Sequence, residues 1–479
     1  MTELIYSLLI FSMVLSLSDI KTGTFITIAI GCLQDILRKL DPSSSLFLTA
    51  LVLLFVGVTY LGALGTGRLL SLRSVPGWNG LLRQPFVFFG IWVCIQCIVT
   101  VLKTGSFVVA GIGLVVYLAP LPALLLSSSF ASNIERIHAF IWTYVALSAV
   151  MVSGVYLSAL GIDWELLASV GEPLIVYSGL TGERLELPNG FFRSPEVAAW
   201  HASAGACFSL LLGLYRRTPM KVFLCVMLTL FFLGAVMLTG RRKFLIEILV
   251  FLPILMILFW HFRAFPSRVL LIIVTSSLAL LAMVGFIAPE FADALQGASM
   301  RGQEREGEVF DRVSSLAFVS LYYVLLDNGV MGAGAGMGSG GAQYYVGDDA
   351  VGWAGEGGLG KILSELGIPG LALFIWLIYK VVSSIWQIIH VISASNNKGD
   401  SESAVLAMGI SAFLVANAAV FIGAHQVFSD PYVLWLLGSF IGFIYALGRI
   451  VENVPIADSH AIQRGRPAGL SHYAGNSNV

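Results

Sequence analysis

The sequence predicts an all-α, polytopic membrane protein of about 12 transmembrane helices with a large outer loop. Of its 479 residues, 57% are hydrophobic and only 11% are charged, and the mean hydropathy is +0.87. A soluble protein has roughly 25% charged residues, so this apolar excess cannot be buried in one globular core. The formal net charge of −1 offers no basic surface for nucleic acid, which excludes that class of partner.

Apolar runs long enough to cross a bilayer of ~30 Å recur along residues 1–450, which we expect to form a single transmembrane domain. The predicted spans are 4–18, 46–64, 85–102, 105–126, 137–160, 196–214, 221–239, 244–260, 267–288, 359–382, 404–422 and 431–450. The segment 23–37 is ambiguous, because its apolar part is short and Asp35, Arg38 and Lys39 lie near its end. A re-entrant or interfacial helix suits it better than a full span, and a thirteenth span is the alternative.

The basic residues of the short loops predict the orientation of the chain, because Lys and Arg concentrate on the cytoplasmic side. With about 12 spans, four basic loops and both termini share one side. These loops carry Arg68, Arg73, Arg83, Arg216, Arg217, Lys221, Arg263, Arg268, Arg449, Arg464 and Arg466. We expect this side to be cytoplasmic, including a disordered tail at 451–479. The long loops then face outward; 161–195 has five acidic against two basic residues, and 289–358 has ten against three.

The basic run Arg241-Arg242-Lys243 breaks this pattern, because it falls at an outer helix end. One interpretation is that the topology is locally wrong and that these are ordinary cytoplasmic charges. The other is a cationic site held at the outer face because an anion binds there. Topology alone leaves both interpretations open.

The large loop 289–358 is the first candidate for a functional site, because long loops between spans are uncommon unless they are functional. Apolar residues recur at helical spacing from Glu308 to Leu326, which predicts an amphipathic helix lying on or just above the membrane. The turn residues Asp327-Asn328-Gly329 are predicted to end this helix.

A run of glycines, Gly332 to Gly341, follows the amphipathic helix. It contains a match to G-x-G-x-x-G, but dinucleotide binding requires a strand and a βαβ unit around that motif. So many glycines predict instead that the backbone closely approaches another chain segment or a ligand. The acidic pair Asp348-Asp349 has no third ligand at metal-binding spacing. We therefore predict neither a cofactor nor a metal site.

Four segments, taken in order, carry a family resemblance. Thr239-Gly240-Arg241-Arg242 is similar to a Thr-Gly-Ser-Arg stretch, and Arg312 followed by 328–334 to an arginine helix that enters a Gly-x-Gly turn. Gly190-Phe-Phe-Arg-Ser-Pro195 is similar to an aromatic-Asn-Pro segment, and Glu365-Leu-Gly367-Ile-Pro-Gly370-Leu371 to a Glu-x-Gly-x-x-Gly-Leu run. Over roughly residues 180–385, this order resembles the O-antigen ligase and polysaccharide polymerase family, integral-membrane enzymes of the bacterial envelope.

The resemblance implies a metal-independent glycosyltransferase of the bacterial inner membrane, acting on undecaprenyl-diphosphate-linked sugars at the outer, periplasmic face. Family arginines hold the diphosphate, which carries over to Arg242 and Arg312, with Arg193 and Arg241 as weaker candidates. Planar guanidinium groups suit this task, because they match phosphate oxygens with bidentate hydrogen bonds. The resemblance implies no cofactor; the implied partners are the lipid-linked glycan, an acceptor glycan or lipid, membrane lipids, and a chain-length regulator or flippase.

The sequence departs from the family at the catalytic base. The family histidine at the end of the large loop falls on Glu356, and its Asn or Ser neighbour falls on Gly357. We predict either that Glu356 is the base or that the chemistry is altered, as in an inactive assembly scaffold. A carboxylate can replace imidazole if its pKa suits the acceptor hydroxyl. If Glu356 is not the base, His201 and His425 are the next candidates.

These features favour a polymerase of O-antigen or exopolysaccharide repeat units. Ligation of a finished glycan onto lipid A core is a close alternative, because nothing in these residues specifies the acceptor. A transporter of polysaccharide or lipid-linked sugars is the alternative from another class. It would carry charges near the midplane of broken helices and repeats that relate its halves. Here the spans are almost without charge, and the polar residues gather in the two outer loops.

Overall fold

The computed structural model describes a bundle of α-helices. The described residues are 2–41, 48–65, 82–170, 175–177, 184–215, 218–241, 243–262, 320–339, 342, 345–347, 357–394 and 398–452. In chain order the helices are α1 (Thr2–Ser16), α2 (Ile20–Leu40), α3 (Leu51–Gly65), α4 (Arg83–Thr104), α5 (Phe107–Leu118), α6 (Pro120–Phe130), α7 (Ile134–Ala159), α8 (Pro195–Leu214), α9 (Pro219–Leu238), α10 (Lys243–His261), α11 (Ser320–Asn328), α12 (Gly358–Ala394), α13 (Lys398–Gly423) and α14 (Pro431–Glu452). The connections contain two 3₁₀ helices, Glu165–Leu167 and Gln426–Ser429, and an antiparallel pair of strands, β1 (Ile175–Tyr177) and β2 (Arg184–Glu186).

Nine of the described helices are long and apolar enough to cross a membrane, which confirms the multi-pass protein that the composition predicts. The pair α5 and α6, bent by 41°, makes a tenth span if the two cross together. Two further apolar helices, α1 and α3, have 15 residues each. The expected span at 267–288 lies outside the described residues, as does most of the expected amphipathic helix. The predicted end of the amphipathic helix at Asp327-Asn328-Gly329 is confirmed, since α11 ends at Asn328.

The segment 23–37 is not the short interfacial helix that the sequence favours; it lies within α2, a 21-residue helix that qualifies as a membrane span. The charges near its end suggested that it was too polar to cross. In the fold, Asp35 and Lys39 are buried and have partners from the loop before α8. Asp35 accepts the backbone N–H of Arg193 at 3.1 Å, and Lys39 donates to the carbonyl oxygen of Gly190 at 2.7 Å. Partners distant in sequence therefore make the full helix compatible with burial.

The helices α1 and α2 are antiparallel, so the start of α1 lies beside the end of α2. The Tyr6 hydroxyl donates to Asp41 at 2.9 Å, and the turn at Leu17 packs against the far end of α3. We call the end of the bundle that carries Asp41, Arg193 and Asp430 the polar end. Because α14 leaves the polar end while α1 begins there, α1 starts and α14 stops at opposite ends. This differs from the expectation that both termini share one side, and the reason is that α2 adds a span.

The helix α8 runs through the centre of the bundle and brings its first turn to the polar end. All of its residues except Glu196 are buried. A Cβ on Gly205 would lie 2.6 Å from the ring of Phe232 in α9, so glycine permits this close helix contact. On another side, the ring of Phe208 packs on Phe413 of α13 and Phe440 of α14, at centroid distances of 4.6 and 4.5 Å. This packing fixes the middle of α8 against α13 and α14.

The helix α12 changes direction at Gly367. This residue has a φ of +69°, and Pro369 follows it without an amide hydrogen to donate. A Cβ on Gly367 would clash with the carbonyl oxygen of Val330, which accepts the N–H of Ile368 at 2.9 Å. The kink therefore receives the chain that leaves α11, and it separates a short first segment of α12 at the polar end from the rest of the helix.

Candidate functional site at the polar end

Six charged residues are buried in the described part of the chain, and all six lie at the polar end. They are Asp35, Lys39, Glu247, Lys361, Glu365 and Asp430. A buried charge is costly unless a partner or hydrogen bonds compensate it, and charges in membrane proteins concentrate where they are used. The polar end is therefore the candidate functional site.

Arg193 is held by two carboxylates. Its Nη2 lies 2.8 Å from Asp430 Oδ2, and its backbone N–H donates to Asp35. Burial lowers the pKa of Arg193, but attraction to Asp430 and Asp35 outweighs burial, so the pKa is raised. Because this guanidinium already has a buried carboxylate partner, the contact anchors the loop before α8 to the start of α14.

The local sequence explains how the two helix starts are built. The Ser194 hydroxyl caps α8, and Pro195 occupies the first turn, where a missing N–H costs nothing. Asp430 acts in the same way before α14, accepting the backbone N–H of Tyr432 at 2.7 Å. One oxygen of Asp430 thus caps a helix, while the other faces Arg193.

Arg241 and Lys243 converge on Glu196 in the first turn of α8. Lys243 Nζ lies 3.0 Å and Arg241 Nη1 lies 3.6 Å from Glu196 Oε1. The oxygen and nitrogen of the Gln426 side-chain amide are assigned from their hydrogen-bond partners. In this orientation the amide nitrogen donates to the same Glu196 oxygen at 2.8 Å. Burial lowers the pKa of Arg241, and Glu196 offsets only part of this effect. Arg241 Nε is buried and has no hydrogen-bond partner among the described residues, so this guanidinium retains a donor for a further acceptor.

The glycine turn, which we define as Gly332–Ser339, passes between α4, α5 and α12. Gly332, Gly334 and Gly336 have φ values of +85°, +122° and +90°, which side chains rarely adopt. A Cβ on Gly336 would also clash with the carbonyl oxygen of Val109 in α5. The predicted close approach of the glycines to another chain segment is confirmed.

Glu365 accepts hydrogen bonds from this turn. Its two carboxylate oxygens accept the N–H groups of Gly336 and Gly338, each at 3.0 Å. Its backbone carbonyl accepts the N–H of Gly334 at 3.1 Å, and Lys361 Nζ lies 3.5 Å from its Oε1. Glu365, the first residue of the Glu-x-Gly-x-x-Gly-Leu run, thus binds the glycine turn that precedes it in the chain.

The short connection between α13 and α14 joins these groups. Its Gln426 contacts Glu196, as described above, and its Asp430 carries the ion pair with the loop before α8. Between them, the Ser429 hydroxyl accepts a hydrogen bond from Lys361 Nζ at 3.0 Å. One connection therefore touches both the start of α8 and the first segment of α12.

His201 is a packing residue of the core. It is 2% exposed, and its Nδ1 lies 3.0 Å from the Tyr144 hydroxyl. Its ring stacks between Phe192 and Tyr432, at centroid distances of 5.1 and 5.3 Å. A hydroxyl partner and two stacked rings give this histidine a structural role.

The structure describes two of the five predicted site residues, Arg193 and Arg241, and brings both to the polar end. Glu196 lies between them: it forms an ion pair with Arg241 and contributes to the raised pKa of Arg193. Arg242, Arg312 and Glu356 lie outside the described residues.

Sequence reasoning missed the carboxylates that organise this end. Asp430 has a local signal, since an acid directly before a proline is typical of a helix start. Glu196 has a weaker one, because acids are favoured in the first turn of a helix. Asp35 and Glu365 lie inside apolar segments, where a lone acid is itself a sign of function.

Among the described residues, no group of three or more His, Cys, Asp or Glu side chains could hold a metal ion. No protein-family model matches the chain, and no curated protein matches it. Function is therefore inferred from the polar end.

Proposed function

We propose that the protein is a metal-independent membrane glycosyltransferase of the polysaccharide polymerase type. It would transfer a glycan from undecaprenyl-diphosphate to the hydroxyl of an acceptor sugar, with the polar end at the outer face of the bacterial inner membrane. The observation that carries this proposal is the position of the buried charges, which in the described part of the chain all lie at one end of the bundle. A polyprenyl chain stays in the bilayer and presents its diphosphate at the membrane boundary, so a protein that binds it needs charged groups at that depth.

The same distribution favours an enzyme over a transporter. A transporter needs charged groups near the membrane midplane. Here every described buried charge lies within about two turns of a helix end at the polar end. The bent pair α5 and α6 resembles the broken helix of a transporter, but neither half contains a charged residue.

The proposed diphosphate site is the turn between α9 and α10. Arg241 has a buried Nε without a partner among the described residues, and Arg242 and Arg312 are proposed to join it. A departing diphosphate accumulates negative charge, and guanidinium groups in poorly hydrated surroundings stabilise that charge strongly. Arg193 is assigned a different role, since its guanidinium already pairs with Asp430.

The proposed general base is Glu356, which would take the proton of the acceptor hydroxyl. Support comes from its neighbour Gly357, whose carbonyl oxygen accepts the Lys361 N–H at 3.0 Å. A Cβ on Gly357 would lie 2.5 Å from the carbonyl oxygen of Ile422, at the end of α13. The residue after the proposed base therefore packs beside the connection that carries Gln426.

The test is glycan transfer by the purified protein in detergent. Incubation with an undecaprenyl-diphosphate-linked oligosaccharide should produce a ladder of lengthened lipid-linked glycans. Addition of a lipid A core acceptor distinguishes the ligase alternative, which would give one new product on that acceptor. The variant Arg241→Ala should lose the ladder, while Arg83→Ala, at an exposed position of the opposite end, should retain it.

Transport of unmodified lipid-linked glycan across the membrane of proteoliposomes, without any change in glycan length, would show that the protein is a transporter and not an enzyme. Absence of both transfer and movement, with the protein folded, would instead favour a scaffold. In the cell, a chain-length regulator or a flippase would be the expected partner of the polymerase.

A further inference from the structure

We propose that Glu365 is a positioning residue: its carboxylate holds the glycine turn at the polar end, and Lys361 couples that turn to the connection between α13 and α14. The effect on glycan transfer rests on the proposed function. The effect on the turn itself does not.

The hydrogen bonds assign this role to the carboxylate. An ionised carboxylate only accepts hydrogen bonds, and Glu365 uses one oxygen for Gly336 and the other for Gly338. The side chain of Glu365 is 0% exposed, so water does not replace these bonds if the carboxylate is removed. The N–H groups would then lose acceptors at a place where buried polar groups need them.

The opposite side of the turn is held by α4. The Thr100 hydroxyl donates to the carbonyl oxygen of Ala335 at 2.8 Å, and the Gln96 amide donates to that of Met331 at 2.8 Å. The α4 side chains therefore bind the carbonyl groups of Met331 and Ala335. The Glu365 carboxylate binds the N–H groups of Gly336 and Gly338. Because the two sets of bonds are distinct, the contribution of Glu365 can be removed separately.

Lys361 extends the coupling beyond the turn. Its side chain is 4% exposed and lies between Glu365 Oε1 at 3.5 Å and the Ser429 hydroxyl at 3.0 Å. Ser429 precedes Asp430, which pairs with Arg193. A continuous set of contacts thus joins the glycine turn to the ion pair at the start of α8.

Three variants separate the parts of this proposal. Glu365→Gln keeps one acceptor oxygen but turns an NH₂ group toward a backbone N–H, so one hydrogen bond becomes a repulsion. Lys361→Met removes the bridge to Ser429. The double variant removes both charges, so it leaves no unpaired ion and remains usable if either single variant does not accumulate. Glu135→Gln, an exposed acid at the opposite end, is the matched control.

The first readout is the accessibility of the turn. Ala335 is 0% exposed. The substitution Ala335→Cys adds a thiol at this position, and its rate of reaction with a membrane-impermeant reagent is measured against the labelling of the protein that lacks this cysteine. Glu365→Gln and the double variant should raise the labelling rate by about 10-fold or more, as expected when buried donors lose their acceptors. Glu135→Gln should not change it. Unchanged labelling in both Glu365 variants would overturn the proposal.

The second readout is catalysis. In Glu365→Gln, kcat should fall by about 10-fold or more while KM for the lipid-linked donor changes less than about 3-fold, because the donor arginines are untouched. Glu365→Asp, which keeps the charge, should recover part of kcat. A raised labelling rate with unaltered kcat overturns the positioning role. A raised labelling rate in a protein whose parent form transfers no glycan overturns the proposed function and leaves the role of Glu365 in holding the turn intact.

Discussion

Arg193 and Asp430 form an ion pair, with Nη2 and Oδ2 2.8 Å apart, at the starts of two different helices. The Asp430 side chain is 0% exposed and that of Arg193 is 20% exposed. A carboxylate fully withdrawn from water needs its cationic partner, because an uncompensated buried charge is strongly unfavourable. This pair therefore holds α8 and α14 together at the polar end.

Breaking this ion pair should destabilise the fold. We expect Arg193→Met to cost roughly 3–5 kcal/mol, because it leaves Asp430 buried without its partner. The double variant with Asp430→Asn should cost less than the sum of the two single variants, since it leaves no charge behind. Thermal unfolding in detergent measures this coupling. Additive effects of the two substitutions would show that the pair contributes no coupling energy.

The proposed donor arginines should be required for transfer but not for folding. Arg241→Ala, Arg242→Ala and Arg312→Ala should each abolish the glycan product while the protein stays in the membrane. Arg-to-Lys should rescue poorly, since a point charge cannot reproduce the bidentate geometry of guanidinium. Product length is measured on gels, with Arg83→Ala as the control. Normal glycan from an Ala variant removes that arginine from the mechanism.

The proposed role of Glu356 as general base can be tested by substitution. Glu356→Gln keeps the size of the side chain but cannot take a proton, so the transfer rate should fall by roughly 10²–10⁴-fold. Glu356→His should retain part of the activity, because imidazole stands at the corresponding place in the family that the sequence resembles. If Gln at this position works as well as Glu, the base lies elsewhere; His425 would be tested next, before the buried His201.

The topology can be tested by thiol labelling at exposed positions. Cysteines at Glu3 and Asp163 should react with an impermeant reagent added outside intact spheroplasts, since α1 begins at the polar end. A cysteine at Arg83, at the opposite end, should react only after the membrane is opened. Protection of Glu3→Cys together with labelling of Asp163→Cys would contradict the antiparallel placement of α1 and α2.

Two glycines offer a matched pair for the glycine turn. Gly336 and Gly329 have φ values of +90° and +73°, but a Cβ would clash with Val109 only at Gly336, and at Gly329 it would meet nothing within 4 Å. Gly329→Ala should cost only the strain of the backbone, about 1–2 kcal/mol. Gly336→Ala should cost clearly more, measured as loss of thermal stability. Equal losses at the two positions would mean that the close approach to α5 contributes nothing.

The sequence alone determined the membrane class and most of the helices. Backbone groups in a bilayer must be hydrogen-bonded within helices or closed barrels, and apolar runs of about 20 residues favour helices, because a barrel strand needs only about 9–11 residues. Local chemistry also predicted the end of α11 at Asn328 and the close backbone approach of the glycines.

The positions of the charged residues depend on long-range contacts that form in the folded protein. In the sequence, Asp35 favours a short interfacial helix. In the structure, the backbone N–H of Arg193, from a distant loop, donates a hydrogen bond to its carboxylate. In the sequence, Glu365 is one residue of the Glu-x-Gly-x-x-Gly-Leu run. In the structure, its carboxylate binds the glycine turn, which is formed by earlier residues. The free energy of a buried charge depends on partners that the fold brings within hydrogen-bond distance, and sequence spacing does not contain those distances.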